Sequence, residues 1–178
     1  MKKKVVLGVT GSIAAYKAAD VVRRLQDKGC DVTVMMTPGA EKFVTALTFE
    51  ALTRRPVYRD MFTHEGAWDV AHVSLAKQAD IFVIAPATAD MIAKVAYGLA
   101  DDFVACTALT TKAPIVMAPA MNDDMFSNPV LQENITKLKK RGVKFVAPKE
   151  GKLACGTVGV GALADVDVIV RTVVDLLK

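Results

Sequence analysis

Five short apolar runs, at residues 4–10, 31–36, 80–85, 114–118 and 143–147, constrain the fold of this 178-residue chain more than any other feature. They are rich in Val, Ile, Leu and Met, and few polar residues interrupt them. A strand with one wet face alternates apolar and polar residues, whereas a continuous apolar run of this length suits a strand covered on both faces. Helical patterns lie between the runs, at 12–28, 38–46, 88–109 with a break near Gly98, and 129–141, and a last one spans 165–177. Repeated strand–helix units predict an α/β, doubly wound parallel sheet of three layers, flavodoxin-like or Rossmann-like, in a single domain over 1–178.

Within this frame Ile13, Tyr16, Ala19, Val22 and Leu25 recur at every third position and are expected on one buried helix face. Pro38 suits the first turn of a second helix reaching Ala46. Residues 54–71 hold Pro56, Gly66 and Trp68 without a period, and are expected as a long irregular connection of a functional kind. Residues 148–164 are glycine-rich, aperiodic and expected as a loop. Pro86 is expected to stop the third strand.

Composition excludes several classes. No apolar run is long enough to span a bilayer. Gly11 and Ser12 interrupt the basic-then-apolar start before it reaches signal-peptide length, so a cytoplasmic protein is expected. Cys30, Cys106 and Cys155 form no CxxC pair, and His64 and His72 have no zinc spacing, so no metal is expected. A net charge of +4, with basic residues scattered rather than interleaved with aromatics, argues against nucleic acid and suits an anionic small molecule.

Ligands of open α/β sheets bind beyond the carboxyl ends of their strands. The first strand exits into Gly11 and Ser12, a turn fit for phosphate, but one lacking Gly-x-Gly-x-x-Gly or Walker spacing. The second strand ends at Thr37 rather than at an acid, so the usual partner of an NAD ribose is missing and a mononucleotide such as FMN fits better. The third exits into 85–91, where Thr88 and Asp90 read either as ligand contacts or as helix caps. The fourth runs into Pro119-Ala-Met-Asn122, where Asn122 either aims an amide at a pocket or caps a helix. His72 lies just upstream of the third strand; a histidine among apolar residues is more often structural than catalytic. Cys155 lies in a glycine-flanked segment with the character of an active-site lid, unlike Cys106 within a helix, and reads equally as an unpaired surface cysteine.

Taken together, Gly11-Ser12-Ile13, His72, Pro86 to Met91, Pro119-Ala-Met-Asn122-x-x-Met125 and Ala154-Cys155-Gly156 resemble, in order and spacing, the homo-oligomeric flavin-containing cysteine decarboxylases. The resemblance covers nearly the whole chain and is strongest to the branch that acts on phosphopantothenoylcysteine in coenzyme A biosynthesis. It implies FMN lying across Gly11, Ser12, Ile13, Thr37, Pro38, Gly39, Thr88, Ala89, Asp90 and Met91, with Phe43 and Ala120. It implies His72 as the base for the substrate thiol, Asn122 and Met125 as substrate contacts, and Cys155 as a late proton donor. In the family's route the thiol becomes a thioaldehyde, carbon dioxide leaves, and the resulting enethiol is protonated and reduced. A carboxylate next to a thiol-bearing carbon is inert until an electron sink forms there, hence a redox cofactor without net redox change.

The resemblance also implies trimers, often assembled to dodecamers, with the flavin between subunits, and a fused or separate synthetase that makes the substrate. Two positions depart from the family pattern. Asp90 and Met91 replace an amide and a threonine, and an ionised Asp90 can only accept hydrogen bonds. Phe126 replaces a tryptophan and loses an N–H donor. A peptidyl-cysteine oxidative decarboxylase remains an alternative that has no need of Cys155, a flavin prenyltransferase leaves His72 and Asn122 unexplained, and a non-catalytic flavin-binding regulatory subunit remains open.

Overall fold

The computed structural model describes residues 2–61 and 71–178. Its main sheet contains β1 (Lys4–Val9), β2 (Asp31–Met36), β3 (Ile81–Ala87), β4 (Ile115–Pro119) and the short β5 (Lys144–Phe145). All four neighbouring pairs are parallel, in the order β2-β1-β3-β4-β5. This is the flavodoxin-like, doubly wound order, and its direction of winding reverses between β1 and β3.

Each central strand is buried on both faces, and its alternate side chains feed two separate cores. Val5, Leu7 and Val9 pack with Ile81, Val83 and Ala85 on one face, where α1 (Ala18–Asp27) and α2 (Ala46–Thr53) contribute Val21, Leu25 and Phe49. Val6, Phe82, Ile84 and Met117 form the other core. It is covered by α3 (Ala71–Gln78), α4 (Ala89–Tyr97), α5 (Phe103–Thr110) and, after the short α6 (Asp123–Ser127), by α7 (Pro129–Lys140). A final α8 (Val166–Leu176) returns to the first face with Ile169 and Val173. A fully buried Val, Leu, Ile or Phe contributes roughly 1.5–3 kcal/mol, so the unbroken apolar runs explain why the sheet sits at the centre.

The helix expected from Ser12 begins differently. Ile13–Lys17 is a 3-10 turn capped by Ser12, and only at Ala18 does the chain become α-helical. A 3-10 turn eclipses residues three apart, so Ile13 and Tyr16 share a face, but that face is open and both side chains are exposed. Ala14, Ala15 and Ala18 take the buried positions instead. The helix expected over 38–46 is likewise corrected. A 3-10 turn at Ala40–Lys42 hangs from the Thr37 carbonyl and hydroxyl, and α2 starts only after Thr45.

Pro86 does not stop its strand, since β3 continues to Ala87, which pairs with Pro119. A register shift between Ile84 and Ala87 absorbs the residue that cannot donate to the ladder. Half of the long connection expected over 54–71, residues 62–70 with His64, Gly66 and Trp68, lies outside the described residues.

The glycine-rich stretch is not a loop. β6 (Lys149–Lys152) and β7 (Val158–Ala162) pair as an antiparallel hairpin. Its inward positions are Gly159 and Gly161, where a Cβ would collide with the Asp123 side chain and with the Met121 carbonyl oxygen. The Met121 amide donates to the Gly161 carbonyl at 3.0 Å. Val158 and Val160 point outward and are exposed. With glycine on the packed face and valine on the wet one, the usual strand alternation is inverted and escapes a periodicity reading.

Candidate active site

The carboxyl ends of β1, β2, β3 and β4 open into one cavity of about 1060 Å³, bounded on the far side by the β6–β7 hairpin. That volume is at the upper end of small-molecule sites, which run to about 1,000 Å³. Gly11, Ser12 and Ile13, then Thr37, Pro38 and Gly39, and then Thr88, Ala89, Asp90 and Met91 all line it. So do Ala120, Asn122, Met125 and Cys155. Gly11 and Cys155, 144 residues apart in sequence, thus line one cavity at the point where the sheet reverses. His72 and Phe43 are not among the lining residues. His72 stands on α3, half-buried, with its ring edge-on to Phe103 at 5.9 Å between centroids. Phe43 is exposed after the Ala40–Lys42 turn.

The floor of the cavity is backbone against backbone. A Cβ at Gly11 would lie 3.0 Å from the Gly39 carbonyl carbon and 3.1 Å from its Cα, so glycine permits the first two turns to touch. Hydroxyls of Ser12, Thr37 and Thr88 stand at the three strand exits. Ser12 accepts from the Ala14 amide at 3.3 Å and Thr88 from the Met91 amide at 3.2 Å, each as a helix or turn cap. Capping uses an oxygen lone pair and leaves the hydroxyl proton to be donated outward. Three chain turns that offer hydroxyl donors and bare backbone suit a phosphate-bearing planar ligand, and no side chain from these turns fills the space between them.

Asn122 is a helix cap that also lines the cavity. Its Oδ1 accepts from the Asp124 and Met125 amides at 2.9 and 3.3 Å and caps α6. Its Nδ2 donates to Asp123 Oδ1 at 2.9 Å and reaches Cys155 Sγ at 3.5 Å. The cap fixes which end of the amide faces inward.

Cys155 sits at the hairpin tip, exposed, with Sγ 3.1 Å from Thr157 Oγ1. Hydrogen bonds from the Thr157 hydroxyl, then from the Thr157 amide and the Asn122 amide, hold its thiol below the ordinary cysteine range. The other two cysteines move the opposite way. Burial pushes up Cys30, and burial, then the nearby Asp102 and Asp101, push up Cys106. Of the three cysteines, Cys155 is thus the one whose surroundings favour the thiolate, the reactive form of a thiol.

Sequence reasoning missed Lys94, which is mostly buried in the cavity wall. It bridges Asp101 at 2.9 Å, Asp102 at 3.1 Å and Asp90 at 3.4 Å. Burial works against its charge, but the hydrogen bonds to Asp101 and Asp102 prevail and keep it firmly protonated. Asp90, itself exposed, is thus paired with a largely buried cation. The i,i+4 spacing of Asp90 and Lys94 on a helix was the legible signal. Phe126 is half-buried against the second core, and its carbonyl accepts from the Gln132 amide. Among the described residues no group of three His, Cys, Asp or Glu is placed to hold a metal, and no helix is long and apolar enough to cross a membrane.

Comparison with known proteins decides the lineage. A family model described as Flavoprotein matches residues 1–178. The chain belongs to the Flavoprotein family. This flavoprotein is 46% identical over 179 residues to a protein named "Probable phosphopantothenoylcysteine decarboxylase" from Streptococcus mutans, covering 99% of this chain and 100% of that protein. It is 44% identical over 163 residues to the coenzyme A biosynthesis bifunctional protein CoaBC of Vibrio vulnificus. That match covers 92% of this flavoprotein but only 41% of the bifunctional relative.

Among solved structures, a cysteine-to-serine variant of PPC decarboxylase complexed with pantothenoylaminoethenethiol superposes with a TM-score of 0.85 at 28% identity, covering 97% of each chain. The FMN-dependent cysteine decarboxylase SpaF superposes with a TM-score of 0.86 at 34% identity, covering 99% of this flavoprotein and 98% of SpaF. Both confirm the α/β flavodoxin-like sheet.

Proposed function

We propose that this flavoprotein is an FMN-dependent phosphopantothenoylcysteine decarboxylase, a carboxy-lyase that makes 4′-phosphopantetheine in coenzyme A biosynthesis, with residues 1–178 acting as one flavin-binding domain in the cytoplasm. The observation that carries the reading is the meeting of Asn122 and Cys155, 3.5 Å apart, in a flavin-sized cavity. Similarity to a decarboxylase over the full length supports it.

FMN would be held by Gly11 to Ile13, Thr37 to Gly39, Thr88 to Met91 and Ala120, whose hydroxyls and bare backbone fit it. When bound, FMN supplies the electron acceptance and return that the substrate's thiol carbon needs. This chain's own residues do the rest. Nδ2 of Asn122 donates to the substrate carboxylate, while Met125 offers it an apolar wall. Cys155, on the hairpin that closes the far side, gives a proton to the enethiol left after carbon dioxide departs. The substrate's charge has cationic company in Lys17 and Lys152, which also line the cavity.

His72 is the base for the substrate thiol in this reading, and its position away from the cavity of its own chain bears on assembly. The site would be completed in a trimer, or in a dodecamer built from trimers, where His72 of a neighbouring copy faces the flavin. Phe43, exposed near the same turns, would cover FMN at that junction. A synthetase, fused as in the bifunctional relatives or separate, would supply the substrate.

The test is direct. Purified protein should carry the yellow absorbance of oxidised flavin, extractable as FMN, and should release carbon dioxide from phosphopantothenoylcysteine with formation of the saturated thiol. Flavin without carbon dioxide release would favour a binding role, and an enethiol end product would favour the oxidative decarboxylase reading.

A further inference from the structure

Five residues at the tip of the β6–β7 hairpin fold back on themselves. The Leu153 amide donates to the Thr157 carbonyl at 2.8 Å, and the Gly156 amide to the Leu153 carbonyl at 2.9 Å. Gly156 takes a φ of 93°, a left-handed conformation that favours glycine. This reversal sets the side chains of Cys155 and Thr157 side by side, with Sγ and Oγ1 3.1 Å apart. Threonine is β-branched and has few χ1 choices, so its hydroxyl is pre-aimed rather than searching. On the other side of the sulfur stands the Asn122 amide at 3.5 Å, itself fixed by the α6 cap.

We propose that Thr157 is a positioning residue for Cys155: its hydroxyl holds the sulfur beside Asn122 and donates to it when the thiol ionises. The inference rests on the catalytic reading of Cys155 and deepens it. When the S–H bond breaks, the proton leaves and the electron pair stays on sulfur, which then has no proton of its own to share. Among the described residues, its side-chain donors are then the Thr157 hydroxyl and the Asn122 amide. A hydrogen bond to the charged form favours that form. The lowered thiol of Cys155 has the Thr157 hydroxyl as its largest cause. A better acid at this position gives up its proton more readily at neutral pH, and regains one from water afterwards.

The experiment follows the rate of Cys155 alkylation by iodoacetamide against pH in the purified holoprotein, with peptide mass mapping to separate Cys155 from Cys30 and Cys106. Thr157→Val keeps the branched shape and removes the hydroxyl; Thr157→Ser keeps the hydroxyl. We expect the alkylation midpoint of Thr157→Val to rise by about one pH unit, a tenfold loss of thiolate below the midpoint. Thr157→Ser should stay close to the parent. An unmoved midpoint in Thr157→Val would overturn the proposal, and so would equal shifts in both variants, which would report a disturbed hairpin. The measurement needs no turnover. A parent protein with a low midpoint that releases no carbon dioxide would sink the decarboxylase reading and leave the role of Thr157 standing.

Discussion

Thr10 and Thr88 are joined across the point where the sheet reverses. The Thr10 hydroxyl accepts from the Thr88 amide at 3.0 Å and donates to the Pro86 carbonyl at 2.7 Å. Thr10 is 1% exposed, so this one oxygen ties the first and third strand exits together in a dry environment. Thr10→Val preserves the shape and strands both partners. Leaving a buried polar group unpaired costs about 1–3 kcal/mol, and the loss should appear in urea unfolding of the FMN-free protein. Weaker FMN retention should accompany it, and unchanged stability would show that water replaces the hydroxyl.

Asn122→Asp separates the two jobs of that side chain. Aspartate caps helices about as well as asparagine, so the Asp124 and Met125 amides keep their acceptor and the fold should hold, with a lower thermal midpoint because the bond to Asp123 becomes a like-charge contact. The inward N–H₂ is lost, and a carboxylate then opposes the substrate's own. Turnover should fall by at least about 10²-fold with FMN content unchanged. Near-normal turnover at neutral pH would reduce Asn122 to a cap.

Cys155→Ser should still consume substrate and release carbon dioxide, and should accumulate the enethiol with bleached flavin under anaerobic conditions. A hydroxyl is a far weaker acid than a thiol of pKa about 8.5. Cys30→Ser and Cys106→Ser should make the saturated thiol as the parent does.

His72→Asn should retain FMN and lose decarboxylation by at least about 10²-fold, the usual span of one acid–base group. Coexpression with Cys155→Ser chains should restore saturated product if each site draws on two copies. Inactive mixed assemblies would place all the chemistry within one chain.

Gly161→Ala tests the hairpin seat. Its methyl would collide with the Met121 carbonyl oxygen, which is backbone and cannot swing aside. The hairpin must lift, carrying Cys155 away from Asn122. A displacement of about 1 Å near reacting groups can cost 10²-fold, so saturated product should fall while circular dichroism and FMN content hold. Wild-type rates would mean that the seat is loose.

The sheet was legible because its strands are buried on both faces, which leaves unbroken runs such as Ile81 to Ala85 that no turn interrupts. The cavity wall was legible for the same reason, since residues directly after such runs must face its open end. What escaped were features set by close approach. The hairpin hid behind Gly159 and Gly161, whose missing side chains erase the alternation a strand would show. Ile13 and Tyr16 were misassigned because the turn after Ser12 is 3-10 for five residues, which moves the buried face onto small alanines. The distance of His72 from the cavity could not be read from its place in the sequence beside the third strand.

The double engagement of Asn122 has an entropic consequence. A free asparagine on a cavity wall would sample several rotamers and present oxygen or nitrogen with similar ease, and a bound carboxylate would have to halt that sampling. Here the first turn of α6 has already done so during folding, because the helix closes only with Oδ1 turned to its amides. Side-chain ordering of this kind costs roughly 0.5–1.5 kcal/mol when it happens at binding. In the proposed site, a substrate carboxylate would meet a donor whose direction was set when the chain folded.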